Sequence, residues 1–65
     1  MRNHRLAQVR DYTRDTAHFA RQGRCRLALH HFGDAWAEAG GSPTPAEEKA
    51  LDRAEGVLSR NCFKR

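Results

Sequence analysis

Apolar residues recur along the chain at steps of three and four, which is the spacing of amphipathic helices. In the first stretch this pattern predicts a helix over residues 5–21. Its buried stripe consists of Leu6, Val9, Thr13, Thr16 and Ala20, widened by Tyr12 and Phe19. Gly23 follows as the predicted turn, because glycine enters the left-handed conformation at little cost.

A second amphipathic helix is predicted over residues 24–39. Its apolar face contains Cys25, Ala28, Leu29, Phe32, Ala35, Trp36 and Ala39. Gly33 lies in the middle of this segment, where glycine costs about 1 kcal/mol relative to alanine. We expect it to permit a close approach to another helix.

The third helix has the clearest start signal in the sequence. Residues 40–45 form a linker-like stretch, at whose end Thr44 is the predicted N-cap and Pro45 the first helical residue. Glu47 completes a capping box. The helix is expected over residues 45–60, burying the apolar residues Leu51, Ala54, Val57 and Leu58. Asn61 is expected to end it, and Phe63 to fold back onto the core.

Together these elements predict an all-α fold, a small three-helix antiparallel bundle forming a single domain over residues 1–65. No alternating run of β-branched residues indicates a strand, and short loops make consecutive helices antiparallel neighbours. The chain has only thirteen bulky apolar side chains. A core of that size is marginal for a small domain, so a homodimer or a complex with a partner is expected to complete the burial.

Residues 12–36 resemble a single tetratricopeptide repeat. Gly23 stands at that family's turn, and Ala28, Phe32 and Ala35 stand where its second helix packs on its first. The match is incomplete, because Asp15 replaces an apolar residue. The resemblance implies a helical hairpin and protein partners. It transfers no binding residue, since the family's contacts are spread over several repeats.

Charge is distributed unevenly along the chain. The net charge is +4, but residues 1–26 hold seven arginines against two aspartates. Arginine suits bidentate contacts with carboxylates and phosphates. The candidate partner-binding residues are Arg10, Arg14, Arg21, Arg24 and Arg26, with the apolar Leu27 and Trp36. They predict docking on a larger protein; the alternatives are nucleic-acid binding and a solvated helix face.

Cys25 and Cys62 are expected at the same end of an antiparallel bundle. The N-terminal residues show no apolar signal segment and no stretch is long enough for a membrane span. We therefore expect a cytoplasmic protein, in which the two thiols are close but reduced. A further alternative is a helical protein that responds to redox change through this pair.

No residue pattern indicates catalysis or a cofactor. Adjacent histidines such as His30 and His31 point about 100° apart on a helix, which does not suit a shared zinc ion. The carboxylates Asp11 and Asp15 lie on a polar face without a nucleophile. The expected function is therefore that of a small non-enzymatic interaction or regulatory protein, of the kind found in bacteria and phages, with no metal and no cofactor.

Overall fold

A computed structural model of the chain describes residues 4–63, which form three helices: α1 (His4–Arg21), α2 (Cys25–Ala39) and α3 (Pro45–Cys62). The predicted all-α bundle is confirmed. The start of α1 contacts the start of α3 through Arg5 and Glu47, and the start of α2 meets the end of α3 at Cys25 and Cys62. The helices therefore run up, down and up.

Glycine ends the first two helices. Gly23 adopts φ +77°, and the backbone N–H of Arg24 donates to the Phe19 carbonyl in the arrangement of a Schellman motif. Gly40 ends α2 with φ +68°. The turn between α1 and α2 is thus tight enough to make them an antiparallel hairpin.

Small side chains dominate the core. One cluster contains Val9, Ala35, Ala39 and Leu51, and a second contains Ala20, Ala28, Val57 and Leu58. Phe32 packs against both clusters. Two threonines of α1 are also buried, and Thr16 donates its hydroxyl to the Tyr12 carbonyl at 2.8 Å, so its burial leaves no hydroxyl unpaired.

Four details of the sequence prediction are wrong. The helix α3 continues through Asn61, whose side-chain amide donates to the Val57 carbonyl at 2.9 Å. Phe63 does not fold back, since it is 56% exposed. Leu29 is exposed rather than buried. Gly33 is also exposed, with open space where a Cβ would lie, so it makes no close approach to another helix.

Candidate functional site

A groove between α1 and α3 is walled by basic side chains. Arg10, Arg14 and Arg21 follow α1 at intervals of four and seven residues, and Lys49 and Arg53 are one turn apart on α3. These five cations define what we call the basic groove, which has a volume of about 550 Å³. Its floor is formed by Thr13, Ala17, Ala46, Ala50, Ala54 and Val57.

The cations of the basic groove have little compensating charge. Across residues 4–63, their only ion pair joins Arg14 Nη2 to Asp11 Oδ1 at 3.1 Å, and both side chains are exposed. Like charges on facing helices repel one another modestly in water. The side chains that line the groove include five cations and no carboxylate, so the groove is electropositive and suited to an anionic partner.

The structure divides the predicted binding residues among three places. Arg10, Arg14 and Arg21 lie together in the basic groove. Arg24, Arg26 and Leu27 instead line a separate open depression at the α1–α2 turn, together with Gly23, Cys25 and His30. We call this depression the turn pocket. Trp36 lines neither surface and is 40% exposed on α2.

The α3 wall of the groove was missed by sequence reasoning. Lys49 and Arg53 lie in a segment whose charges balance, so composition does not single them out. Their spacing of four residues does place them on one helix face. What the sequence lacks is a sign that this face lies opposite the arginines of α1.

Cys25 and Cys62 form a disulfide, with their Cα atoms 5.7 Å apart. The predicted proximity is confirmed, whereas the expectation of two reduced thiols is wrong for this structure. Antiparallel packing brings the first residue of α2 beside the last residue of α3. That Cα separation is within the range that a disulfide requires.

An ion pair fastens the opposite end of the bundle. Arg5 Nη2 donates to Glu47 Oε1 at 2.6 Å, and Arg5 Nε donates to Oε2 at 2.8 Å. Glu47 is fully buried. The hydrogen bond from Arg5, aided by one from the Thr44 backbone and opposed by burial, lowers the pKa of Glu47 from its ordinary 4.5 to about 2. This contact was also missed.

The two histidines of α2 have separate environments. His31 stacks on Phe19 with ring centroids 5.2 Å apart, and His30 Nε2 lies 3.8 Å from Asp34 Oδ2. Within residues 4–63, no group of three histidine, cysteine or acidic side chains is placed to hold a metal ion. No helix in the same range is long and apolar enough to cross a membrane.

Comparisons with protein-family models, with curated proteins and with solved structures find no match to this chain.

Proposed function

We propose that this chain is a small non-enzymatic interaction protein that docks on a larger protein by binding an acidic amphipathic helix in the basic groove. The observation that carries the proposal is the arrangement of five cations above a floor rich in alanine, with one ion pair to an acidic side chain among residues 4–63. Such a groove offers charge at its rims and room for apolar side chains between them.

An acidic helix suits the groove in both length and charge. Arg10 and Arg21 are eleven residues apart on α1, which corresponds to about 16 Å or three helical turns. A partner helix with acidic residues at spacings of four and seven would meet these arginines in register. Its small apolar residues would face Ala50 and Ala54, in the manner of other helices that bind in grooves.

A regulatory role in the cytoplasm of a bacterium or in a phage-infected cell is part of this proposal. An open groove bordered by arginines suits reversible recognition, because charged rims raise association rates more than they slow dissociation. Catalysis has less support, since the groove is open to water and a reaction site normally excludes it. The tetratricopeptide-like hairpin is consistent with protein partners.

Nucleic-acid binding is the alternative that the same five cations favour. The two ligands differ in what the groove floor contributes, because phosphate contacts release counterions whereas an amphipathic helix also buries apolar area. Nucleic-acid binding should therefore weaken steeply as the salt concentration rises. In a plot of log binding constant against log salt concentration, the slope should be about −0.9 per phosphate contact. Binding of an acidic helix should keep part of its affinity at high salt, because the burial of apolar area does not depend on charge screening.

The test uses a designed helical peptide with glutamates spaced to match the α1 arginines and alanines on the adjacent face. Fluorescence anisotropy would compare it with a Glu→Gln version of the same peptide and with a short DNA duplex. We expect the double variant R14A/R53A to weaken peptide binding about tenfold, the sum of two modest ion pairs. The matched control R26A, outside the groove, should bind as the wild type does.

Two results would overturn the proposal. One is equal binding of the glutamate and glutamine peptides, which would mean that the cations do not select the ligand. The other is tighter binding of the DNA duplex with a steep salt dependence, which would assign the groove to nucleic acid.

A further inference from the structure

The disulfide lies beside a second cationic surface. Cys25 lines the turn pocket, where Arg24 and Arg26 flank it along the chain. We propose that the Cys25–Cys62 disulfide exchanges with small anionic thiols, and that the incoming thiolate attacks the sulfur of Cys25. The turn pocket is then the site that receives the thiol. This proposal is independent of the basic groove and needs no protein partner.

Position in the helices distinguishes the two sulfurs. Cys25 is the first residue of α2, and the side chain of its N-cap Arg24 does not accept a hydrogen bond from the first N–H groups of the helix. Cys62 is the last residue of α3. A helix is partly positive at its start and partly negative at its end. The helix dipole therefore favours attack at Cys25 over attack at Cys62, where Arg60 in the last turn offsets only part of the negative charge at the end of α3.

The arginines strengthen this preference. Arg24 is positioned over the ring of Phe19, with its guanidinium carbon 5.4 Å from the ring centroid, and it also lines the turn pocket. Arg26 lines the same pocket. His30, the pocket's other titratable side chain, has Asp34 beside it. Carboxylates of a small thiol would thus meet two permanent cations next to the sulfur that is attacked.

The exchange balances without an external oxidant. The thiolate forms a new S–S bond with Cys25, the Cys25–Cys62 bond breaks, and Cys62 leaves as a thiolate that takes a proton from water. A second thiolate then attacks the small molecule's sulfur in this mixed disulfide and releases the Cys25 thiolate, which the start of α2 stabilises. Two small thiols are oxidised to their disulfide, and the protein disulfide is reduced to two thiols.

The test measures reduction rates with thiols of different charge: mercaptopropionate, mercaptoethanol and cysteamine. For each thiol, the rate of wild type is divided by that of R24A/R26A, which cancels differences in the thiols' own reactivity. We expect a ratio of about five for the anionic thiol at low salt, near one for the neutral thiol and below one for the cationic thiol. The matched control R10A/R14A removes two cations elsewhere and should leave all three rates unchanged.

Two further measurements complete the test. Raising the salt concentration shortens the screening length to about 10 Å at 0.1 M, so the wild-type preference for the anionic thiol should shrink even if R24A/R26A does not fold. Acid quenching and peptide mapping should place the mercaptopropionate adduct on Cys25. Adducts on Cys62, or rate ratios that are equal for all three thiols, would overturn the proposal.

Discussion

Glu47 is a carboxylate whose burial depends on its hydrogen-bond partners. Its Oε1 atom accepts hydrogen bonds from the Thr44 backbone N–H and from Arg5, and its Oε2 atom accepts a second one from Arg5. A buried charge without such partners would be strongly destabilising. The single side chain therefore joins the helix cap of α3 to the first turn of α1.

Acid should weaken the fold through Glu47. Because its pKa falls from 4.5 to about 2 on folding, its contribution is fully present above about pH 4.5 and is lost as the pH falls towards 2. Thermal unfolding midpoints should decline over this range, and less so in Glu47→Gln. The matched control Glu48→Gln changes an exposed neighbour in the same helix turn. Parallel pH curves for wild type and Glu47→Gln would contradict this assignment.

For single residues, the sequence was sufficient to predict interactions between residues that are close along the chain. Thr44, Pro45 and Glu47 lie within four residues, and their capping box is confirmed. The partner of Glu47 could not be predicted in the same way, because Arg5 is 42 positions away. Its identity depends on which helix ends meet, which no local spacing encodes.

The capping box at the start of α3 should have a measurable effect on stability. Thr44 Oγ1 accepts a hydrogen bond from the Glu47 backbone N–H at 3.3 Å. Thr44→Ala removes this acceptor, and we expect it to lower the free energy of unfolding by about 0.5 to 2 kcal/mol. Chemical denaturation measures the change, with Ser42→Ala as a control in the adjoining loop. An unchanged midpoint would show that the cap contributes nothing.

In α2, Gly33 is a position where a substitution should stabilise the protein. It is exposed within the helix, and nothing lies within 4 Å of an added Cβ. Gly33→Ala should therefore raise the free energy of unfolding by about 0.5 to 1 kcal/mol. Calorimetry would detect this as a higher unfolding temperature. Gly23→Ala is the contrasting variant, because φ +77° at that turn makes alanine strained; stabilisation by both changes would contradict the argument.

The helix boundaries show how far periodicity alone can be used. The start of α3 is confirmed at Pro45, where a cap and a proline coincide. Its end lies at Cys62 rather than residue 60, because Asn61 bonds back to its own helix and does not break it. The disulfide at the next residue then holds the last turn.

Across the whole molecule, the up, down and up order was predictable because the two loops are short. The predicted apolar face of α2 included too many residues. Leu29 and Trp36 are exposed, because the core is built largely from alanine and valine and does not extend to them. The basic groove was half predicted. Its α1 wall follows from the spacing of Arg10, Arg14 and Arg21, whereas its α3 wall requires the packing of the two helices.

The disulfide should supply a substantial share of the stability of so small a core. It closes a separation of 37 residues, for which chain entropy gives about 4 kcal/mol. The variant Cys25→Ser/Cys62→Ser should therefore unfold at a markedly lower denaturant concentration than the oxidised wild type. Reduced wild type serves as the control, since it should resemble the double variant. Equal stability of the oxidised and reduced proteins would contradict this prediction.

Trp36 provides a test of self-association. It is 40% exposed, and large aromatic side chains of this kind are enriched at interfaces. We expect the wild type to dimerise, and Trp36→Ala to remain folded but monomeric, losing less than the roughly 3–5 kcal/mol of a fully buried tryptophan. Sedimentation over a range of concentrations measures both proteins. A wild type that is monomeric at every concentration would contradict the predicted homodimer.

The bond between Cys25 and Cys62 also determines how the chain responds to mechanical load. Tension applied at the two termini passes from the α1 segment through the sulfur atoms to the end of α3, so residues 26–61 bear no force while the bond is intact. The force therefore cannot extend this segment. The 37-residue separation between the two cysteines corresponds to about 125 Å of fully extended chain. Reduction exposes this length, so the oxidised protein is a short tether and the reduced protein a long one.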